Sequence, residues 1–249
     1  MRNKLSTRRT MVDLLEQARY EVLPTPSTED KLLEHVPVDR VVTITASPTK
    51  GLDATFALAE SLTTRGYTVV PHLAARMITG RTELAEICER LTGRGISRVF
   101  VPGGDADPAG DYPDALTVLE DLKELGSPFA QVGITGYPES HPTITDDMTI
   151  QAMWDKRRYA THVVSNLTFD PGAIAGWLAR MRSRGITMPL LLGMPGPVER
   201  TKLRAMATRT GVGGPTPFLA KHKGPIGRLA APAGVTGPPF TDPCAPRVG

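Results

Sequence analysis

Glu21 stands inside an otherwise apolar run, Arg19–Leu23. A carboxyl in such a place serves either an ion pair with a lysine or arginine or chemistry. Burial raises a carboxyl pKa and keeps a proton available for donation near neutrality. Gly103-Gly104-Asp105 closes another apolar run. Two glycines let backbone approach a flat ligand, and an aspartate beside them can bind a ring N–H or oppose developing positive charge; a plain turn fits the triplet almost as well. Gly136-Tyr137-Pro138-Glu139-Ser140-His141-Pro142 makes a stiff, polar, partly aromatic surface, and His72 and Asn166 add polar groups to two further runs. A histidine at such a position is also compatible with a satisfied core residue. Lys156-Arg157-Arg158 reads as a helix end, where cations complement the dipole, with phosphate binding as the alternative. The five histidines are scattered, without metal-ligand spacing, and no Gly-x-Ser-x-Gly nucleophile elbow occurs.

These residues fall within or close after seven short apolar runs: Arg19–Leu23, Arg40–Ser47, Thr68–Ala75, Ser97–Asp105, Phe129–Tyr137, Thr161–Phe169 and Met188–Met194. The runs recur at roughly 30 residues, the size of a βαβ unit, with amphipathic stretches between them. Leu84, Ile87, Cys88 and Leu91 follow helical spacing, as do Ile174, Trp177, Leu178 and Met181; Leu116, Leu119, Leu122 and Leu125 form a similar face. Gly66, Gly95, Gly126 and Gly185 fall where helices should stop. Asp170-Pro171 reads as an N-cap followed by a first-turn proline. Strands apolar at nearly every position predict a parallel sheet covered on both faces, with chemistry at the C-terminal strand ends.

The length of 249 residues suits one (β/α)8 barrel of the TIM type. The predicted organisation is a single domain over 1–249. A capping helix covers 1–17, seven β/α units cover 18–212, and a Pro/Gly-rich tail covers 213–249. From Gly211 onward there are eight prolines and no strand-length apolar run, so no eighth β/α unit is evident and the expectation includes an open or truncated barrel. Phe218-Leu219-Ala220 and Leu229-Ala230-Ala231 read at most as single helical turns. The alternative, an open doubly wound sheet, would want a Gly-rich loop after the first strand, and Leu23-Pro24-Thr25-Pro26 is not one.

A net charge of +3 gives no reason to expect a nucleic-acid partner, and no apolar run reaches membrane-span length. The basic N-terminus lacks the apolar core of a secretory signal. Two cysteines, Cys88 and Cys244, suggest no structural disulfide and fit a reducing cytoplasm. Oligomeric state is not legible.

Taken in order, Tyr20-Glu21-Val22-Leu23-Pro24, Pro71-His72-Leu73, Gly104-Asp105, Tyr137-Pro138-Glu139-Ser140-His141-Pro142 and Asn166-Leu167-Thr168-Phe169-Asp170 resemble the strand-end motifs of methylenetetrahydrofolate reductases. The likeness runs over about residues 18–212. It implies a barrel that reduces 5,10-methylenetetrahydrofolate to 5-methyltetrahydrofolate, normally by hydride passed from a reduced nicotinamide through FAD. It implies Glu21 as general acid, Asp105 as the aspartate near pterin and reductant, and Asn166 and Phe169 as substrate-binding, with Asn166 in place of the usual glutamine. It implies cofactor contacts from Thr45, His72, Gly104, Tyr137, His141, Lys156 and Arg157. Where the family has Tyr-Gly-Ala after a threonine, Ala46-Ser47-Pro48 follows Thr45, and Gly103-Gly104-Asp105 lacks the usual arginine. The pattern resembles a short, actinobacterial-type branch in which NADH reduces the folate directly. FAD as obligatory carrier, or a folate- or nucleotide-binding barrel without turnover, are the other expectations.

Overall fold

The computed structural model describes residues 13–141 and 143–196. Seven strands form among these described residues: β1 (Tyr20–Val22), β2 (Val41–Ile44), β3 (Thr68–Pro71), β4 (Arg98–Val101), β5 (Gln131–Gly136), β6 (His162–Leu167) and β7 (Leu190–Gly193). Each lies inside one of the seven apolar runs. Between them stand α1 (Thr28–His35), α2 (Gly51–Thr64), α3 (Arg81–Thr92), α4 (Ala115–Glu124), α5 (Asp146–Lys156) and α6 (Pro171–Ser183). A short 3-10 turn, Ala75–Met77, follows β3. Among the described residues, no helix is long and apolar enough to cross a membrane.

Strand order is the chain order, β1-β2-β3 in one sheet and β4-β5-β6-β7 in the other. The pairs β1-β2, β2-β3, β4-β5 and β6-β7 are all parallel. A parallel bridge between His72 and Phe100 carries the order on from β3 to β4. A doubly wound sheet would reverse direction at a switch point; β1 to β4 do not. Consecutive parallel order is what successive right-handed βαβ crossovers produce, and it is the order of a singly wound barrel.

The chain divides into two compact units. One comprises Met1–Ile134 with Asp155–His162, the other Thr135–Trp154 with the residues from Val163 onward. In the first, Val42, Ile44, Leu62, Leu84, Leu91, Val99 and Val101 exclude water almost completely. The predicted face of α3 is buried at Leu84, Ile87, Cys88 and Leu91. In the second, Trp177 and Met181 of α6 are each 1 % exposed. Gly136 makes room for α6 to lie on β5: a Cβ there would come within 2.7 Å of Val163 and 3.0 Å of the Trp177 ring.

The helix stops come out as expected, with Gly66, Gly95, Gly126 and Gly185 at φ of 92°, 79°, 88° and 78°. Asp170 caps α6 by accepting the Gly172 and Ala173 N–H groups, with Pro171 in the first turn. One expectation is corrected. β1 and β7 are not buried on both faces; Tyr20 and Leu192 are 42 % and 44 % exposed. Residues 13–16 are helical, with Leu14 and Leu15 61 % and 65 % exposed. Residues 1–12 of the expected capping helix, the helical turns at 218–220 and 229–231, and the expected absence of an eighth strand lie outside the described residues.

Candidate functional site

Parallel strands align their C-terminal ends, and in the first unit this gathers Glu21 from β1, Thr45 just after β2 and His72 just after β3. Register does the placing. Glu21 pairs with Thr43 across β1 and β2, the Thr45 N–H donates to Val22 O at 2.9 Å, and the His72 N–H donates to Ile44 O at 2.9 Å. The His72 ring lies against Phe100, centroids 4.7 Å apart, and its Nε2 is 3.8 Å from the Glu21 carboxylate.

That contact is not an ion pair at neutral pH. Burial pushes the His72 imidazole down to about 3, so it is uncharged. A neutral ring does nothing to hold Glu21 ionised, and the protein crowding the carboxyl raises its pKa. The side chain nevertheless stays 59 % exposed, which corrects the expectation of a buried carboxyl. Solvent access limits how far its pKa climbs. Its proton affinity is raised and its proton is reachable.

Beside it, His72 Nε2 and Thr45 Oγ1 are buried without a hydrogen-bond partner. Buried polar groups are nearly always satisfied, and the exceptions call for a cause such as a missing ligand. Thr55 Oγ1 takes the Thr45 carbonyl at 2.9 Å, leaving the Thr45 hydroxyl unmatched.

The loop after β2 closes on itself. The Lys50 and Gly51 N–H groups both donate to Ser47 O at 3.0 Å, Pro48 has no N–H, and the Lys50 ammonium donates to Pro24 O at 2.8 Å. After β4, the Gly103 carbonyl accepts from the Arg76 N–H at 3.0 Å. Gly104 has φ of 90°, a backbone conformation that side-chain-bearing residues rarely adopt, so the turn favours glycine. Asp105 follows, exposed. Lys156, the last residue of α5, is half-buried, not a solvated helix end. Burial holds its ammonium below the usual range, against the attraction of Asp114 and Asp155. Arg157 follows in the turn.

In the second unit, Asn166 sits in an irregularity of β6. The register with β7 shifts between Val164 and Leu167. Ser165 Oγ donates to Asn166 O at 2.7 Å and accepts the Gly193 N–H at 2.9 Å. Gly193 is required there, since a Cβ would lie 2.7 Å from Ser165 O and 2.8 Å from Asn166 O. Bulges of this kind re-aim side chains. The result is an Asn166 amide whose nitrogen and oxygen are both buried and both unpartnered.

Glu139 has a role that sequence reasoning did not assign. Its Oε1 accepts the N–H groups of Phe169 and, at 2.6 Å, Asp170, tying the loop after β5 to the end of β6. Phe169 is thereby held in place, 6 % exposed. Tyr137 and His141 stack edge to face at 4.8 Å. His141 Nδ1 accepts the Thr143 and Ile144 N–H groups at 3.2 Å, so this ring braces its own loop. An open groove of about 420 Å³ runs past Pro138, Asp146, Asp170 and Arg180. Its cation is already faced by a carboxylate, Arg180 to Asp146 at 3.8 Å, and it includes none of the candidate residues.

Among comparisons with known proteins, the family model described as methylenetetrahydrofolate reductase matches residues 27–224. The matched segment starts after β1, so Glu21 precedes it, while Thr45, His72, Asp105, Tyr137, His141, Asn166 and Phe169 lie within it. Chain-order parallel strands agree with the barrel that this family shares. The chain belongs to the methylenetetrahydrofolate reductase family, oxidoreductases that act on folates in one-carbon metabolism.

Proposed function

We propose that this protein reduces 5,10-methylenetetrahydrofolate to 5-methyltetrahydrofolate with hydride taken directly from NADH, Glu21 serving as general acid. The observation that carries the acid assignment is the Glu21 carboxyl at a strand end, its pKa raised by its surroundings, 3.8 Å from a neutral, unpartnered imidazole. Proton donation by Glu21 to N10 of the folate breaks the bond from N10 to the methylene carbon. That carbon becomes the iminium on N5. Hydride from the nicotinamide then completes the methyl group, with net uptake of one proton and release of NAD+. Asp105 supplies negative charge opposite the cationic iminium. Asn166, with a free donor and a free acceptor on one amide, orients the pterin.

Direct transfer is supported by the donor set after β2. A flavin diphosphate wants several free backbone N–H groups. Pro48 offers none, and those of Lys50 and Gly51 are spent on Ser47 O. Lys156, one of the cofactor contacts that the resemblance implies, already has the carboxylates of Asp114 and Asp155 acting on its ammonium, and these would repel a phosphate. NADH and folate are accordingly the two small-molecule partners.

An anaerobic assay of flavin-free protein with NADH and methylenetetrahydrofolate tests both parts. Turnover without added FAD is expected. A yellow protein carrying stoichiometric FAD, or activity only after FAD is supplied, rejects direct transfer. Turnover that survives Glu21→Gln rejects the acid.

A further inference from the structure

A second polar cluster in the first unit gathers at the N-terminal ends of the strands. Arg19 immediately precedes β1; Arg98, Gln131 and His162 are the first residues of β4, β5 and β6. Arg98 and Gln131 are register partners. Arg19 Nη1 lies 3.2 Å from His162 Nε2, and Arg19 Nη2 donates to Gln131 Oε1 at 3.5 Å.

The proton positions follow from chemistry. A guanidinium only donates, so His162 Nε2 accepts and the ring proton is on Nδ1. Nδ1–H donates to Thr161 Oγ1 at 2.8 Å. That hydroxyl donates to Val132 O at 3.1 Å and accepts the Val132 N–H at 3.0 Å. The imidazole is therefore fixed as a neutral acceptor. Burial first, then the charges of Arg19 and Arg98, press it to about 4.

What the cluster lacks is a negative charge. Arg19 and Arg98 are each half-buried, and burial and Arg98 together lower the Arg19 pKa. Among the described residues, neither arginine has a carboxylate within ion-pair distance. Glu21, the nearest acid in sequence to Arg19, has its close contact with His72, and Asp13 and Glu16 are exposed; none of the three pairs with either arginine. A half-buried arginine whose charge is opposed by a second one nearby carries a free-energy cost that an anion beside both would recover. Guanidinium forks suit tetrahedral oxoanions, and Gln131, its oxygen engaged by Arg19, adds an amide NH2 donor.

We propose that Arg19 and Arg98, with Gln131, form a binding site for a phosphate-type oxoanion at the strand N-termini, separate from the strand-end residues assigned to folate. The ligand is either a free oxoanion or the terminal phosphate of a nucleotide.

His162 is a built-in reporter, because an anion beside the arginines cancels the positive field on its ring. The test follows the His162 ring resonances by NMR, assigned by their loss in His162→Gln, through a pH titration. Sulfate, which stays doubly charged across the range, is compared with chloride at equal ionic strength. The expected result is a saturable shift with sulfate and a rise in the His162 pKa by about one unit, a tenfold gain in proton affinity. The response should vanish in Arg98→Gln and return in part in Arg98→Lys. Melting curves with sulfate and with ADP name the source: stabilisation by both marks a free-oxoanion site, and stabilisation by ADP alone marks a nucleotide phosphate. No saturable response to either in the wild type, or an equal response in a folded Arg98→Gln protein, overturns the proposal.

Discussion

Glu21 and His72 show how a pair of titratable groups can be set by what is missing between them. Were the ring cationic it would pull the carboxyl down; being buried and neutral, it leaves Glu21 to respond to its crowded surroundings. Activity that needs the protonated acid should hold at low pH and fall as pH rises through the raised Glu21 pKa. Glu21→Gln should lower kcat by about 100-fold or more and remove that alkaline limb while folate affinity is kept. An alkaline limb unchanged in the variant would assign it to another group. Asn166 invites a different test. Its amide is buried with no partner, so its desolvation is uncompensated in the free protein. Asn166→Leu should therefore leave the melting temperature unchanged or raise it, while KM for the folate rises about tenfold. A loss of stability with unaltered KM would make Asn166 a packing residue.

At the scale of elements, the bulge in β6 is the feature most exposed to single substitutions. Gly193→Ala drives a methyl group into the Ser165 and Asn166 carbonyls, at a cost of about 1–3 kcal/mol. Denaturant unfolding should show that loss, and folate KM should rise with it because the irregularity that aims Asn166 is disturbed. The sequence made the seven strands and their intervening helices legible, since apolar runs and helical spacing are local signals. It marked Asp170 and the four helix-ending glycines for the same reason. It could not show the bulge, because the register of β6 against β7 depends on Ser165 meeting Gly193 across a gap in sequence. Glu139 was visible only as part of a polar string. Its work is to receive two N–H groups from Phe169 and Asp170, and no local pattern announces a partner so distant. Glu21 was found because a carboxyl interrupts an apolar run, but its open access was not, since exposure depends on what neighbouring strands leave uncovered.

Across the whole molecule, two neutral buried imidazoles shape the response to acid. His72 and His162 titrate near 3 and 4 when folded and near 6.5 when unfolded. Between about 6.5 and 4 the unfolded chain therefore binds protons that the folded chain refuses, and stability falls as pH falls. Glu21, its pKa raised on folding, works in the opposite sense and offsets part of this. Urea midpoints should decline from pH 7 to pH 4, less steeply in His162→Gln; a flat profile would mean that these rings are solvated. Finally, the chain-order pairing of the strands has a consequence for synthesis. Each of β2, β3 and β4 docks on the strand translated just before it, so the nascent polypeptide meets a ready edge as it leaves the ribosome. Truncated chains ending after α4 would then hold protease-resistant structure, whereas a sheet with interleaved order would have to wait for its last strand.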